Sequence, residues 1–272
     1  MRDTLLGSLH VQKSFGHFAD ARSISINAFG EVYVVDRNAP GVFQFDDTGK
    51  LITSVVGFGN AHNEFDSPID IDASLTNSIA VSDKNNHRIE IYSRNLTWQT
   101  TINGHNGDSK IKFGYPSGVS VSASGNYSII DGENKRALRI SPASGSQEWI
   151  SNSGLTSDLS MNPSAIATTT DESIILADAA SKRIILLSSA LFPIHDVQCD
   201  HAETIRLCLS GQILYVVDPE LSFIRAYNAT DLSNQGRILL PEEVKPVVAL
   251  CVYKKDFYVL TKEKVFVCTK DF

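Results

Sequence analysis

Carboxylates and guanidinium groups recur at one spacing in this chain: Asp83 with Arg88, Asp131 with Arg136, and Asp178 with Arg183. An acid and a cation held five residues apart can move a proton, clamp a phosphate or carboxylate, or close a turn on themselves. Three imidazoles, His17, His105 and His201, and a fourth, His62, stand in loops that lead into predicted strands. Imidazoles gathered from separate segments are common zinc ligands. Arg22 and Glu203 offer one more unlike pair, and Cys199, Cys208, Cys251 and Cys268 complete the reactive groups.

What these groups can do depends on the elements that hold them, and the chain repeats those elements. The phrase at 79–92 returns at 127–140 and again at 174–187, and looser copies end at Asp36 and Asp218. The anchoring aspartates at 36, 83, 131, 178 and 218 are spaced by 47, 48, 47 and 40 residues. A period in this range means one supersecondary unit repeated in space. In the second copy, 68–73 alternates apolar and polar residues and predicts a strand with one apolar face. Further strands are predicted at 78–82, at 89–92 and around 98–102, with the polar run 83–88 as a turn. Four strands per period select a propeller.

Inner strands fall at 23–27, 68–72, 116–122, 163–168, 204–209 and 246–252, four of them opening on proline. There the missing N–H costs no ladder hydrogen bond. The last unit is one strand short, and a strand at 8–15 has no unit of its own. The expected fold is therefore all-β: a six-bladed β-propeller of four-stranded antiparallel blades, closed by the N-terminal strand in the last blade, which removes an exposed edge. It is one domain, 1–272, with blades at roughly 17–55, 56–103, 104–151, 152–192, 193–238, and 239–272 plus 8–15.

The pattern Phe65-x-x-Pro68, Val81-x-Asp83 and Asn86-His87-Arg88-Ile89 resembles the NHL repeat. The resemblance covers nearly the whole chain and is strongest in units two to four. Gly41 stands at the arginine position in unit one, Phe223 in unit five, and Thr261 replaces the aspartate in unit six. The resemblance implies a six-bladed propeller and says little of activity, since one fold hosts many functions. Amidating lyases with a related propeller bind zinc through histidines just after the inner-strand proline; here those positions hold Ile69, Ser117, Ser164 and Val247. The Glu-Gly-Pro segment of calcium-holding lactonase-like propellers is absent. NHL domains of tripartite-motif proteins read single-stranded RNA, which needs a basic face with aromatic platforms. Among the five turns opened by Asp, Phe223 is the sole aromatic, while Trp98 and Trp149 fall on outer strands.

With 42% hydrophobic residues in 272, the chain can bury a substantial core. A net charge of −7 disfavours non-specific attraction to nucleic acid or anionic membranes. No apolar run is long enough to span a bilayer. The first residues carry no secretory apolar region, yet a trimmed secreted chain would begin the same way. The compartment stays open between the cytoplasm and a periplasmic or other extracytoplasmic space. There is no Cys-x-x-Cys pair, no Gly-x-Ser-x-Gly elbow, no His-Glu-x-x-His and no phosphate loop. The cysteines read as buried free thiols, and no cofactor is expected.

A catalytic group is needed once per active site, so an Asp–Arg pair repeated in three units reads as a structural device. The aspartate can accept N–H bonds from the turn it opens. The turns still gather cations on one rim: Arg37, Lys84, His87, Arg88, Lys135, Arg136, Lys182 and Arg183. Arg22 and Glu203 are read as lining the axial channel, where they would offer one charged pair to a small ligand or bridge each other. His17, His105 and His201, in alternating units, are weak metal candidates. The expected function is a non-catalytic binding module, a monomer taking a protein, peptide or polymer ligand on its loop face. The alternatives are a propeller lyase or lactonase-like hydrolase with an axial metal, and single-stranded RNA binding.

Overall fold

The structure is a computed structural model that describes residues 4–75, 77–104, 112–141, 146–150, 162–199, 201 and 204–271. β1 spans Leu5–Phe15. Four units follow: β2–β5 (Ala21–Ile26, Val32–Asp36, Gly41–Phe45, Leu51–Val56), β6–β9 (Pro68–Asp72, Ile79–Asp83, Arg88–Tyr92, Trp98–Asn103), β10–β13 (Pro116–Val121, Tyr127–Asp131, Arg136–Ser141, Ser146–Ile150) and β14–β17 (Pro163–Thr168, Ile174–Asp178, Arg183–Leu187, Pro193–Gln198). Then come β18–β21 (Arg206–Ser210, Ile213–Val217, Phe223–Asn228, Asn234–Leu239) and β22–β24 (Ala249–Tyr253, Asp256–Leu260, Val265–Lys270). One 3-10 turn, Glu242–Val244, is the sole helix among the described residues. No helix there is long and apolar enough to cross a membrane.

Units one to four are each a four-stranded antiparallel sheet in chain order. The remaining strands form one eight-stranded sheet because β1 is shared. Its start runs parallel to β21, with Leu5 opposite Arg237 and Ser8 opposite Leu239. From Leu9 to Phe15 it runs antiparallel to β24, ending with Phe15 opposite Val265. The N-terminal strand thus begins earlier than the expected 8–15 and serves two neighbours.

The second strand of each unit is the most deeply placed. Val32–Asp36, Ile79–Asp83, Tyr127–Asp131 and Ile174–Asp178 are buried at every position. A continuous apolar run of this length suits a strand covered on both faces. The covers are the neighbouring sheets. Ala80, Ile89 and Ile91 of unit two share a cluster with Val119, Ile129 and Leu138 of unit three. Ile130 and Ala137 of unit three pack with Ile174, Leu176 and Ile185 of unit four. The core therefore lies between consecutive sheets instead of in one central mass.

The first strands lie beside one another in the order β2, β6, β10, β14, β18, β22, and β22 lies beside β2. Proline opens β6, β10 and β14 as expected, but the last of these strands begins at Ala249, not at Pro246. Pro246 follows the 3-10 turn, and Val248 N–H supplies the first bond to β23, at 2.7 Å from Leu260 O. In units one to four the residue after the first is skipped in the pairing, so Arg22, Ile69, Ser117 and Ser164 each form a bulge. A bulge re-aims the side chains around it.

Candidate functional site

The repeated aspartates tie two loops together. Each stands at the end of a second strand and reaches back to the loop that enters its unit. Asp83 Oδ1 accepts Asp66 N–H at 2.8 Å, Asp131 Oδ1 accepts Gly114 N–H at 3.0 Å, and Asp36 accepts the N–H groups of Ala19 and Asp20 at 2.5 and 3.0 Å. Asn86, Asn134 and Ser181 donate to Asp83, Asp131 and Asp178 from within the turns, at 2.7, 2.8 and 2.6 Å. The structural role read from their recurrence is what the geometry shows.

The arginines divide into three cases. Arg88 is 6% exposed, and its Nε donates to Asp83 at 2.9 Å while Nη1 meets Glu90 at 2.9 Å. Its remaining donors bond the carbonyls of Asn60, Ala61 and Glu64 at 2.9, 3.1 and 2.7 Å. Such a residue is withdrawn from any surface, which corrects its place on the binding rim. Arg136 repeats the bond, donating to Asp131 at 2.8 Å, but is only half-buried. Arg183 departs from the repeat: it is exposed and pairs with Asp196 of β17. There Ser181 already occupies Asp178 Oδ2.

The side chains left for a partner come from the turn tips. Arg37, Lys135 and Lys182 are exposed and Lys84 is half-buried. His87, Lys135 and Lys182 occupy one turn position, with φ of 54°, 52° and 54°. This left-handed residue lets the turn return to the third strand. Arg37 pairs with Asp20 at 2.7 Å.

Two exposed aromatics join this rim from the loops between units. Phe58 is 75% exposed and Tyr115 is 42% exposed. The Tyr115 ring lies 4.2 Å from the His87 ring, and its N–H donates to His87 Nδ1 at 3.2 Å. That bond makes the neutral imidazole the Nε2–H tautomer. Both aromatics escape a search confined to the Asp-opened turns. The signal for Tyr115 was its place next to Pro116, at the start of a strand on the turn side.

The first strands enclose an axial cavity of about 440 Å³, lined from Ser117 and Ser164 to Ser74, Ala123, Thr170 and Gly211. Alternate side chains there stitch one first strand to the next. Ser25 Oγ accepts Ala73 N–H at 2.9 Å, Asp72 accepts Val121 N–H at 2.7 Å, and Ser120 Oγ accepts Thr168 N–H at 3.0 Å. Cys208 takes the N–H of Val252 in the same way. Asp70 accepts Ser23 Oγ–H at 2.6 Å and Val119 N–H at 2.9 Å. Burial pushes its carboxyl above the usual range, against those hydrogen bonds and the charge of Arg206.

Arg22 is tied to Asp20. Its Nε and Nη2 donate to Asp20 at 3.1 and 2.6 Å, and Glu203 lies outside the described residues. Among the described residues, the charged residue that the fifth unit brings to the cavity is Arg206. Of the weak metal candidates, His17 is exposed, His105 lies outside the described residues, and His201 Nδ1 is 2.6 Å from Asp218 Oδ2. Among the described residues no group of three or more His, Cys, Asp or Glu is arranged to hold a metal ion. All four cysteines are free, and burial pushes the Cys208 and Cys268 thiols up to about 12.

Sheets arranged around a cavity, each packed on the next, define a β-propeller, and solved structures agree. A streptogramin B lyase superimposes with a TM-score of 0.66 at 11% identity, covering 97% of this chain and 98% of that one. Selenomethionine-substituted virginiamycin B lyase from Staphylococcus aureus gives 0.64 at 12% identity, covering 96% and 99%. A chain of the nidogen/laminin complex gives 0.65 at 14% identity, covering 85% and 84%. At these identities the likeness is one of fold. No family model matches the chain, and no curated protein does.

Proposed function

We propose that the chain is a single NHL-type propeller of six blades, spanning 1–272 and closed by β1, that works as a non-catalytic binding module. The cyclic order of the first strands and the pairing of β1 with β24 support the blade count and the closure. The ligand is a protein, peptide or polymer held on the rim formed by the Asp-opened turns and the loops between blades.

One observation carries this reading. The repeat's own charges, Asp83, Arg88 and Asp131 among them, are used up inside the fold, while the variable tips leave Arg37, Lys135 and Lys182 exposed and Lys84 half-buried, next to loops that carry the exposed Phe58 and Tyr115. Exposed aromatics and arginine are enriched at protein interfaces, and the lysines around them supply a polar rim. A rigid ring of strands that carries variable turns is also how scaffolds write specificity. The rim suits an acidic patch on the partner, which makes association faster at low salt. Glu133 and Glu220 lie among these cations, and the chain is acidic overall, which favours a protein over RNA. A fold shared with a chain of the nidogen/laminin complex accords with a role in protein assembly.

Lysine-directed cross-linking of the full chain to its captured partner tests the face. Cross-links concentrated on Lys84, Lys135 and Lys182 support it. Cross-links confined to Lys13, Lys50, Lys254 and Lys270 overturn it.

A further inference from the structure

The axial cavity holds unlike charges on opposite walls. Asp70 pairs with Ser82, the residue before Asp83, and Arg206 pairs with Val217, the residue before Asp218, so the two occupy one position of the repeat. Two first strands separate them in either direction: β10 and β14 one way, β2 and β22 the other. The same position holds Ser23, Gly118, Ala165 and Ala249 in the other units, as the pairings with Val35, Ile130, Ala177 and Leu260 show. Four small residues leave the space between the charges open. Asp70 and Arg206 form no ion pair with each other, and both line the cavity.

Each charge has capacity to spare. The Arg206 guanidinium carries five N–H donors and makes one hydrogen bond, from Nη1 to Ile205 O at 3.1 Å. Burial pushes its pKa down, opposed by Asp70. Arg206 is half-buried on the cavity wall with donors to spare, and a planar carboxylate meets an arginine fork with two parallel bonds. The Asp70 carboxylate accepts bonds from Ser23 and Val119, with the Ile71 N–H as a weaker third neighbour, and these do not fill its acceptor sites. The volume, about 440 Å³, falls within the range of small-molecule sites.

We propose that this cavity binds a small zwitterion of amino-acid to dipeptide size, with its carboxylate on Arg206 and its ammonium toward Asp70. The site is separate from the loop face and takes a different class of ligand. Serine and threonine hydroxyls along the walls, Ser117, Ser164 and Thr168 among them, supply the remaining polar contacts. A bound ammonium restores the charge that burial disfavours on Asp70, so binding releases a proton wherever that carboxyl is protonated.

The test is calorimetry on the full chain with the standard amino acids, Gly-Gly and Ala-Ala, each also as its N-acetyl and its C-terminal amide. At up to about 10 mM even a site with Kd near 1 mM fills. At least one free zwitterion is expected to bind saturably, and blocking either end is expected to weaken it about tenfold or more. Arg206→Met is expected to remove the penalty for amidating the carboxylate. If that variant does not fold, the blocked ligands on the unaltered chain give the same answer. Absence of binding by every probe, or binding indifferent to both blocked ends, overturns the proposal. Charge reversal at Lys84, Lys135 and Lys182 leaves this binding unchanged, so the two sites fail or stand separately.

Discussion

His201 does for Asp218 what an interblade N–H and an arginine do for the aspartates of other units. The imidazole Nδ1 lies 2.6 Å from Asp218 Oδ2, and His201 precedes Asp218 by the same 17 residues that separate Asp66 from Asp83 and Gly114 from Asp131. Unit five lacks the arginine, since Phe223 stands there beneath Arg225 and Arg237. His201→Ala is expected to cost about 1 kcal/mol, the low end for a half-exposed bond to a carboxylate. Urea unfolding measures it; an unchanged midpoint would show that Asp218 is held without the imidazole.

Arg88 and Arg183 share a repeat position and differ in burial. Arg88→Met leaves Asp83 and Glu90, both fully buried, without their common cation, and a loss of about 3–5 kcal/mol is expected. Arg183→Met breaks an exposed pair with Asp196, and less than about 1 kcal/mol is expected. Equal losses in the two variants would contradict the assignment.

The repeat made much of this legible in the sequence alone. Strands β6, β10 and β14 start at their prolines as read, because proline fixes a strand's first residue. The aspartates were correctly taken as structural, because recurrence is incompatible with a single active site. The Arg88 donors were not foreseeable, since they go to carbonyls 24 to 28 residues earlier, in a loop without a motif. The alternation in 68–73 announced a polar face at Asp70 and Asp72. The shorter period of unit five points to Glu203 as the companion of Arg22, whereas the residue of that unit that lines up with Asp70 is Arg206. Tyr115 was missed because the aromatic belongs to one loop and the histidine it stacks on to another.

Alkaline pH should weaken the fold. Burial raises the Cys208 and Cys268 thiols and the Tyr258 hydroxyl to about 12. In the unfolded chain thiols ionise near 8.5 and the phenol near 10. Between those values and 12 the folded state holds protons that the unfolded state releases, so this stability is complete below the unfolded values and is lost as pH rises. The fully buried Cys208 alone contributes a fall of about 1.4 kcal/mol per pH unit in that window. Denaturant midpoints at about pH 8 and pH 10 read the effect, with Cys208→Ala removing one share. A flat profile would contradict the burial of these groups. In the native state the half-buried Cys199 should react first with a thiol reagent.

Deleting residues 1–16 strips β1 from β21 and β24 at once and uncovers both edges, together with the apolar bed of Leu9. Aggregation or a large fall in melting midpoint is expected. A truncated chain that stays monomeric with an unchanged midpoint would show that the sheet does not depend on β1.

The loop face is tested most directly by the affinity of the captured partner for the wild type and for a variant carrying Lys84→Glu, Lys135→Glu and Lys182→Glu. These lysines take no part in the Asp–Arg anchors, so the variant should unfold at nearly the wild-type midpoint. The account predicts at least a tenfold loss of affinity, about 1.4 kcal/mol, with an association rate that no longer rises as salt is lowered. An unchanged affinity in a variant of unchanged stability would contradict it and return these turns to solvent.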